Sequence, residues 1–261
     1  MPKPYIISFA NQKGGVGKTT SCVNAASCAA EKGLRVLLVD CDPQGNTTSG
    51  VGISKKNISG TTYDVLLGGA EPDEVIQATE FKNLSVIPAT LSLAGAEFEL
   101  FSAEKREKQL KNFLAKCTDF DLIFIDCPPS LSMLTINALT ASDGVVIPMQ
   151  CEYYAMEGLA QLMYTIRKVK ELYNPSLSVL GILVTMYNGR LNLSTAVLGE
   201  IKKYYADKLF KTTIPRSVKL SEAPGFGTPI NYHEKYSKAC DAYRDLTDEL
   251  LSRIGIVPTA L

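Results

Sequence analysis

Ala10-Asn11-Gln12-Lys13-Gly14-Gly15-Val16-Gly17-Lys18-Thr19-Thr20 is the stretch that decides the fold. An ordinary phosphate-binding loop reads G-x-x-x-x-G-K-[ST]. Gly17, Lys18 and Thr19 fit the end of that pattern, but Gln12 stands where its first glycine belongs. A second lysine, Lys13, lies five residues ahead of Lys18. The loop is therefore a phosphate site with an added cation.

The flanks agree with that reading. Tyr5-Ile6-Ile7-Ser8-Phe9-Ala10 is a short apolar, β-prone run that predicts a buried parallel strand. Thr19 to Ala26 places small and apolar residues at helical spacing. A strand, a glycine-rich turn and a helix start make an anion site, because free N–H groups and the positive end of the helix dipole face the same point. Gly14, Gly15 and Gly17 let the backbone approach closely, with Val16 between them. Lys18 would reach the β- and γ-phosphates of ATP, and the Thr19 hydroxyl would ligate Mg²⁺, with Thr20 beside it. The bland alternative is a glycine-rich turn with two solvated lysines, and the flanking elements count against it.

At 261 residues and 46% hydrophobic content the chain can bury one large α/β core, so a single domain over 1–261 is expected. Lys+Arg and Asp+Glu are both 27, so any attraction to nucleic acid must come from a local patch. The seven cysteines show no C-x-x-C spacing and read as small buried residues of a reducing compartment. No signal peptide and no stretch of about 18–20 apolar residues is present, which predicts a cytoplasmic protein without a membrane span. Few residues precede the first strand, so no N-terminal DNA-reading domain is expected. The lone His233 reads as a surface or turn residue.

Further along, strands are expected at 34–40, 83–88, 120–126, 144–149, 178–186 and 209–214. Helices are expected at 92–116, 154–173, 194–205 and 234–253, with Gly33 closing the first helix. This alternation predicts an α/β fold with a doubly wound, mostly parallel sheet and ligands at the carboxyl ends of its strands. Two strands run into acidic turns there, Asp40-Cys41-Asp42-Pro43-Gln44-Gly45-Asn46 and Asp126-Cys127-Pro128-Pro129-Ser130. Alone, each could be a strand-end turn. Beside a phosphate loop, Asp126 suits Mg²⁺ held directly or through water, and Asp42 suits orientation of the attacking water.

Lys13–Thr20, Val39–Asn46 and Ile125–Ser130 resemble the deviant Walker A, switch I and Walker B segments of the ParA/MinD ATPases. Gln150–Ala155 and Ile214–Pro224 resemble the ParA/Soj partition branch in particular. The resemblance spans nearly the whole chain. It implies a homodimer formed with ATP, in which Lys13 acts on the neighbouring subunit's nucleotide. Lys18 and Thr19 hold phosphate and Mg²⁺, Asp42 positions water, and Asp126 supports the metal with Asp40 behind it. Glu152 would contact nucleotide or the partner subunit, and Pro215 with Asn188 would frame the adenine; Asn188 stands where relatives often have Asp.

The same branch implies non-specific binding of double-stranded DNA, a ParB/Spo0J-type partner that stimulates hydrolysis, and residence on the nucleoid. Residues 190–219 carry seven basic side chains against Glu200 and Asp207, an excess of five positive charges. Arg190, Arg216 and Lys219 match basic positions of the family and are the DNA candidates. Lys202, Lys203 and Lys208 read equally well as solvated charges. A MinD-like membrane-positioning ATPase is the competing class. It needs a basic, bulky amphipathic tail, and residues 253–261 offer one arginine and a proline. A metabolic enzyme on the same scaffold would need a second substrate pocket that the sequence does not reveal.

Overall fold

Five strands without polar alternation form the middle of the sheet, because both of its faces are covered by helices. The computed structural model describes residues 3–56 and 58–257. Its strands are β1 (Tyr5–Phe9), β2 (Val36–Asp40), β3 (Gln77–Ala78), β4 (Leu84–Ile87), β5 (Leu122–Asp126), β6 (Gly144–Gln150) and β7 (Ser178–Thr185). Their spatial order is β3-β4-β2-β5-β1-β6-β7, parallel throughout except for β3 against β4. The helices are α1 (Lys18–Glu31), α2 (Asn46–Gly50), α3 (Thr62–Leu67), α4 (Pro72–Val75), α5 (Leu93–Glu99), α6 (Gln109–Leu114), α7 (Met133–Ala141), α8 (Ala155–Leu172), α9 (Asn192–Tyr205), α10 (Val218–Glu222), α11 (Ile230–His233) and α12 (Lys238–Ile254).

Successive side chains along a strand face opposite sides, so the sheet divides the core in two. Ile6, Leu37, Val39, Ile123 and Ile125 pack with α5, α7, α8 and α9 on one face. Ile7, Phe9, Leu38 and Phe124 pack with α1 and α12 on the other. The Cys22, Ala25, Ala26 and Ala29 side chains of α1 are small, which lets that helix lie close to the sheet beneath Tyr243, Leu246 and Leu250 of α12. The chain leaves β1 toward one face and leaves β5 and β6 toward the other, so a crevice opens at their carboxyl ends. Gly33 takes a φ of 90 just past α1, as its helix-ending role requires.

Three expectations need correction. The helix expected over 92–116 is two helices, α5 and α6, joined by short 3₁₀ turns at Leu100–Ser102 and Arg106–Lys108. In one unbroken helix Glu104 and Glu107 would continue the buried Leu93/Leu100 stripe, while Phe113 would point nearly the opposite way. Breaking the helix lets Leu110, Phe113 and Leu114 reach the core and leaves Glu104 and Glu107 outside it. The strand expected over 209–214 is also absent. That segment follows the edge of β7 through bonds from Phe210 to Ile182 and from Ile214 to Val184. Between them the Lys211 and Thr212 amides donate instead to the Glu249 carboxylate at 2.9 and 3.1 Å. The closing helix starts at Lys238 rather than 234, capped by the Ser237 hydroxyl, and α7 was not foreseen.

All seven cysteines are buried and free. His233 ends α11, mostly covered and against the Phe226 ring. Helix α12 stops at Gly255 in a left-handed turn, and no helix among the described residues is long and apolar enough to cross a membrane. The last four residues of the tail weighed above lie outside the described residues.

Glu249 also accepts from Arg253 at 2.8 Å, so one carboxylate holds the 208–214 segment and the end of α12 together. Glu249→Ala leaves two amides without their acceptor and should lower the unfolding free energy by about 2 kcal/mol. A urea midpoint unchanged from wild type would contradict that role.

Candidate functional site

The sheet register sets the site. Phe9 pairs with Asp126 and Asp40 pairs with Asp126, so β1, β2 and β5 end side by side. The loop after β1 then rises over the two acidic turns. Gly17 precedes α1 with a φ of 83, and the free amides of the α1 start face the cleft. Gly14, Gly15, Lys18, Thr19, Thr20 and Asp42 line this cleft, which has a volume of about 310 Å³.

Lys18 is buried and its ammonium donates to the Lys13 carbonyl at 3.1 Å. Thr19 Oγ1 donates to Asp126 Oδ2 at 2.7 Å, and Thr47 Oγ1 donates to the same oxygen at 2.8 Å. The second oxygen, Asp126 Oδ1, is buried without a hydrogen-bond partner. Asp40 is different, since both of its oxygens are engaged. Oδ2 accepts from the Thr48 amide and hydroxyl at 2.8 and 2.7 Å, and Oδ1 accepts from the Asp42 amide at 3.2 Å. Asp40 thus braces the turn that carries Asp42. Asp42 accepts from the Gln44 amide at 2.9 Å and turns back to the cleft. Gly45 begins α2 with a φ of 62, and a Cβ there would meet the Ala89 carbonyl at 2.5 Å.

Lys13 stands apart from Lys18. Its ammonium pairs with Glu152 at the half-exposed rim instead of entering the cleft. Pro215 lines a separate cavity of about 330 Å³ with Gly17, Thr20, Met186 and Tyr243. Asn188 does not line it, and its side chain accepts from the Arg190 amide at 3.1 Å. Arg190 and Arg216 are exposed on neighbouring loops that a bridge between Tyr187 and Pro215 brings together. Lys219 is paired with Glu222 at 3.1 Å, and Lys208 with Asp207 at 3.3 Å.

Residues 4–179 match the family described as AAA domain. Over 246 residues the chain is 54% identical to the sporulation initiation inhibitor protein Soj of Bacillus subtilis, covering 94% of this chain and 97% of Soj. It is 49% identical to the chromosome partitioning protein ParA of Myxococcus xanthus, over 95% and 88% of the two chains. The chain belongs to the ParA/Soj family of P-loop ATPases. A solved structure titled cobyrinic acid a,c-diamide synthase from Mycobacterium smegmatis, with bound ATP analog and magnesium, superposes with a TM-score of 0.85. It is 38% identical, over 97% of this chain and 96% of that one.

As a ParA/Soj-type ATPase, the protein hydrolyses ATP with Mg²⁺. Its residues suit both groups. The glycine turn, the α1 amides and the Lys18 ammonium form an anion cradle, and the orphaned Asp126 oxygen beside the Thr19 hydroxyl suits a hard cation. The electrostatics of the site point the same way. Burial pushes the Asp126 carboxyl up to about 7, with the Asp40 charge adding to the shift and the bonds from Thr19 and Thr47 opposing it. Burial also raises Asp40 to about 6, against the bonds from Thr48 and Asp42. Desolvation lowers Lys18, while the Asp126 and Asp42 charges pull it back up.

Thr47 and Thr48 were not singled out from the sequence. They follow directly on the acidic turn, and α2, starting just after Gly45, turns both hydroxyls toward the two buried aspartates.

A carboxyl raised in the folded state binds more protons than the unfolded chain, so stability falls as pH rises between the two values. In the absence of nucleotide and Mg²⁺ the wild-type protein should lose stability steadily between about pH 4 and pH 7 through Asp126 and Asp40, by roughly 1.4 kcal/mol for each unit by which each carboxyl is raised. Asp126→Asn should flatten that slope in urea titrations. An equally steep slope in the variant would remove Asp126 as its source.

Proposed function

We propose that this ATPase is an ATP-driven dimer switch of DNA partition. With ATP it pairs face to face with a second copy and holds double-stranded DNA without sequence preference. A ParB/Spo0J-type partner stimulates hydrolysis and releases it. The observation that carries this reading is the position of Lys13. The cleft already has a buried lysine in Lys18, whereas Lys13 sits at the rim on Glu152. A second cation facing outward suits action on a neighbour's phosphates, in the manner of an arginine finger supplied in trans. Lys18, the loop amides and Thr20 would hold the phosphates, with Thr19 and Asp126 at Mg²⁺, which neutralises phosphate charge. Asp42 would orient the attacking water, and the Pro215 cavity would take the adenine.

For DNA, support comes from Arg190 and Arg216. They are exposed on adjoining loops, and Lys219 lies a helix start away in α10. The seven-to-two basic excess over 190–219 supplies the field for phosphate contacts in a chain of zero net charge. The protein would act in the cytoplasm, on the nucleoid. Partition has more support than ATP-dependent synthesis, because relatives named for chromosome partitioning stand at 49% and 46% identity against 38% for the synthase structure.

Lys13→Ala should bind ATP with near wild-type affinity and remain monomeric with ATP in analytical ultracentrifugation, with turnover down about a hundredfold or more. An ATP-dependent dimer in that variant would overturn the trans role. In gel shifts, wild type should retain duplex DNA with ATP but not with ADP. Arg190→Ala should weaken retention with a shallower salt dependence while keeping its ATPase activity. Equal retention in all nucleotide states would argue against a switch.

A further inference from the structure

We propose that Gln150 and Thr185 are positioning residues that aim the phosphate-loop amides, a role that rests on the ATP site described above. The parallel register of β6 and β7 pairs Gln150 with Thr185, so the two side chains stand next to each other at the carboxyl ends of their strands. Each reaches a different, consecutive carbonyl of the glycine turn. Gln150 Nε2 donates to the Gly15 carbonyl at 2.7 Å, and Thr185 Oγ1 donates to the Val16 carbonyl at 2.7 Å. The Met149 carbonyl, 3.1 Å from the same hydroxyl, is the weaker acceptor. The second Gln150 amide hydrogen is accounted for too, since Met186 Sδ lies 3.1 Å from Nε2.

In a trans peptide the carbonyl of one residue and the N–H of the next point in opposite directions across one rigid plane. A carbonyl tied toward β6 or β7 therefore turns the following amide away from the sheet. Holding Gly15 C=O sets the direction of Val16 N–H, and holding Val16 C=O sets that of Gly17 N–H. This restraint matters because Gly15 and Gly17 have φ values of 73 and 83, in a region where glycine has wide freedom. Without the two side chains, ordering these peptides would be charged to nucleotide binding. Asn11 fixes the entry to the same loop, with its amide on the Pro148 carbonyl at 2.7 Å and its carbonyl taking the Lys13 amide at 3.0 Å. Strand β6 and its neighbour thus hold the loop at three points.

Met186 extends the arrangement. It sits in the left-handed region with a φ of 50 at the end of β7, where it lines both the phosphate cleft and the Pro215 cavity. One amide group, that of Gln150, therefore touches the phosphate loop and a wall common to both cavities.

The test is calorimetric titration of Mg·ADP into the full chain, with urea unfolding of each nucleotide-free protein alongside. Thr185→Val keeps the shape and removes the donor, and Gln150→Leu does the same at a half-exposed position. Each should raise the Kd for Mg·ADP about tenfold. Thr185→Ser restores the hydroxyl and should stay within about twofold of wild type. Lower unfolding midpoints with unchanged Kd values would overturn the proposal in favour of a purely structural role, as would a Thr185→Ser variant as weak as Thr185→Val. If Thr185→Val does not fold, Gln150→Leu decides alone. Wild-type protein that fails to bind Mg·ADP would instead overturn the ATP-site reading itself.

Discussion

Charge buried at the carboxyl ends of three adjacent strands is the constraint on which the rest of the structure depends. Asp40, Asp126 and Lys18 are all taken out of water within one crevice. Two carboxylates on neighbouring paired strands repel each other, and burial disfavours the charged form of both. The protein offsets part of this with Thr19, Thr47 and Thr48, and with the ammonium of Lys18. One oxygen of Asp126 is left without a partner. A site that is under-satisfied when empty gains from a cation and a polyphosphate, so ligand binding and fold stability are linked.

The surrounding elements make that arrangement possible. Small residues in α1 allow its start to approach the sheet, and α12 covers its back. Asp40 gives both oxygens to the turn behind it, which places Asp42 at the cleft. Rigid strand ends hold the glycine-bearing phosphate loop and the turn through Gly45, whereas Pro128 and Pro129 stiffen the turn after Asp126. The outward-facing groups come from the same loops. Lys13 and Glu152 lie at the rim, and Arg190 and Arg216 follow the end of β7. On the proposed reading, a neighbour's nucleotide and DNA would be felt by segments that also border the ATP cleft.

Much of the fold was legible because the signals were local. Continuous apolar runs marked β1, β2, β5, β6 and β7, and Gly33 marked the end of α1. The phosphate loop and both acidic turns were visible as short stretches of unusual composition. The misread segments share a cause. Residues 92–116 have helical spacing throughout, but the direction in which Phe113 must face is set by the core it meets. Residues 209–214 have strand-like composition, yet the Lys211 and Thr212 amides in their middle go to Glu249, thirty-eight and thirty-seven positions away.

The sequence by itself determined the parallel α/β architecture, the phosphate site and the two aspartate turns, because each follows from neighbouring residues and the period of the chain. Only the tertiary structure decided how those parts are held. It put Thr47 on Asp126, Thr48 on Asp40, Glu152 on Lys13, and Gln150 and Thr185 on the loop carbonyls. A glutamine or threonine has no intrinsic partner. The strand order and register that bring β6 and β7 beside β1 choose it, and they are properties of the assembled sheet.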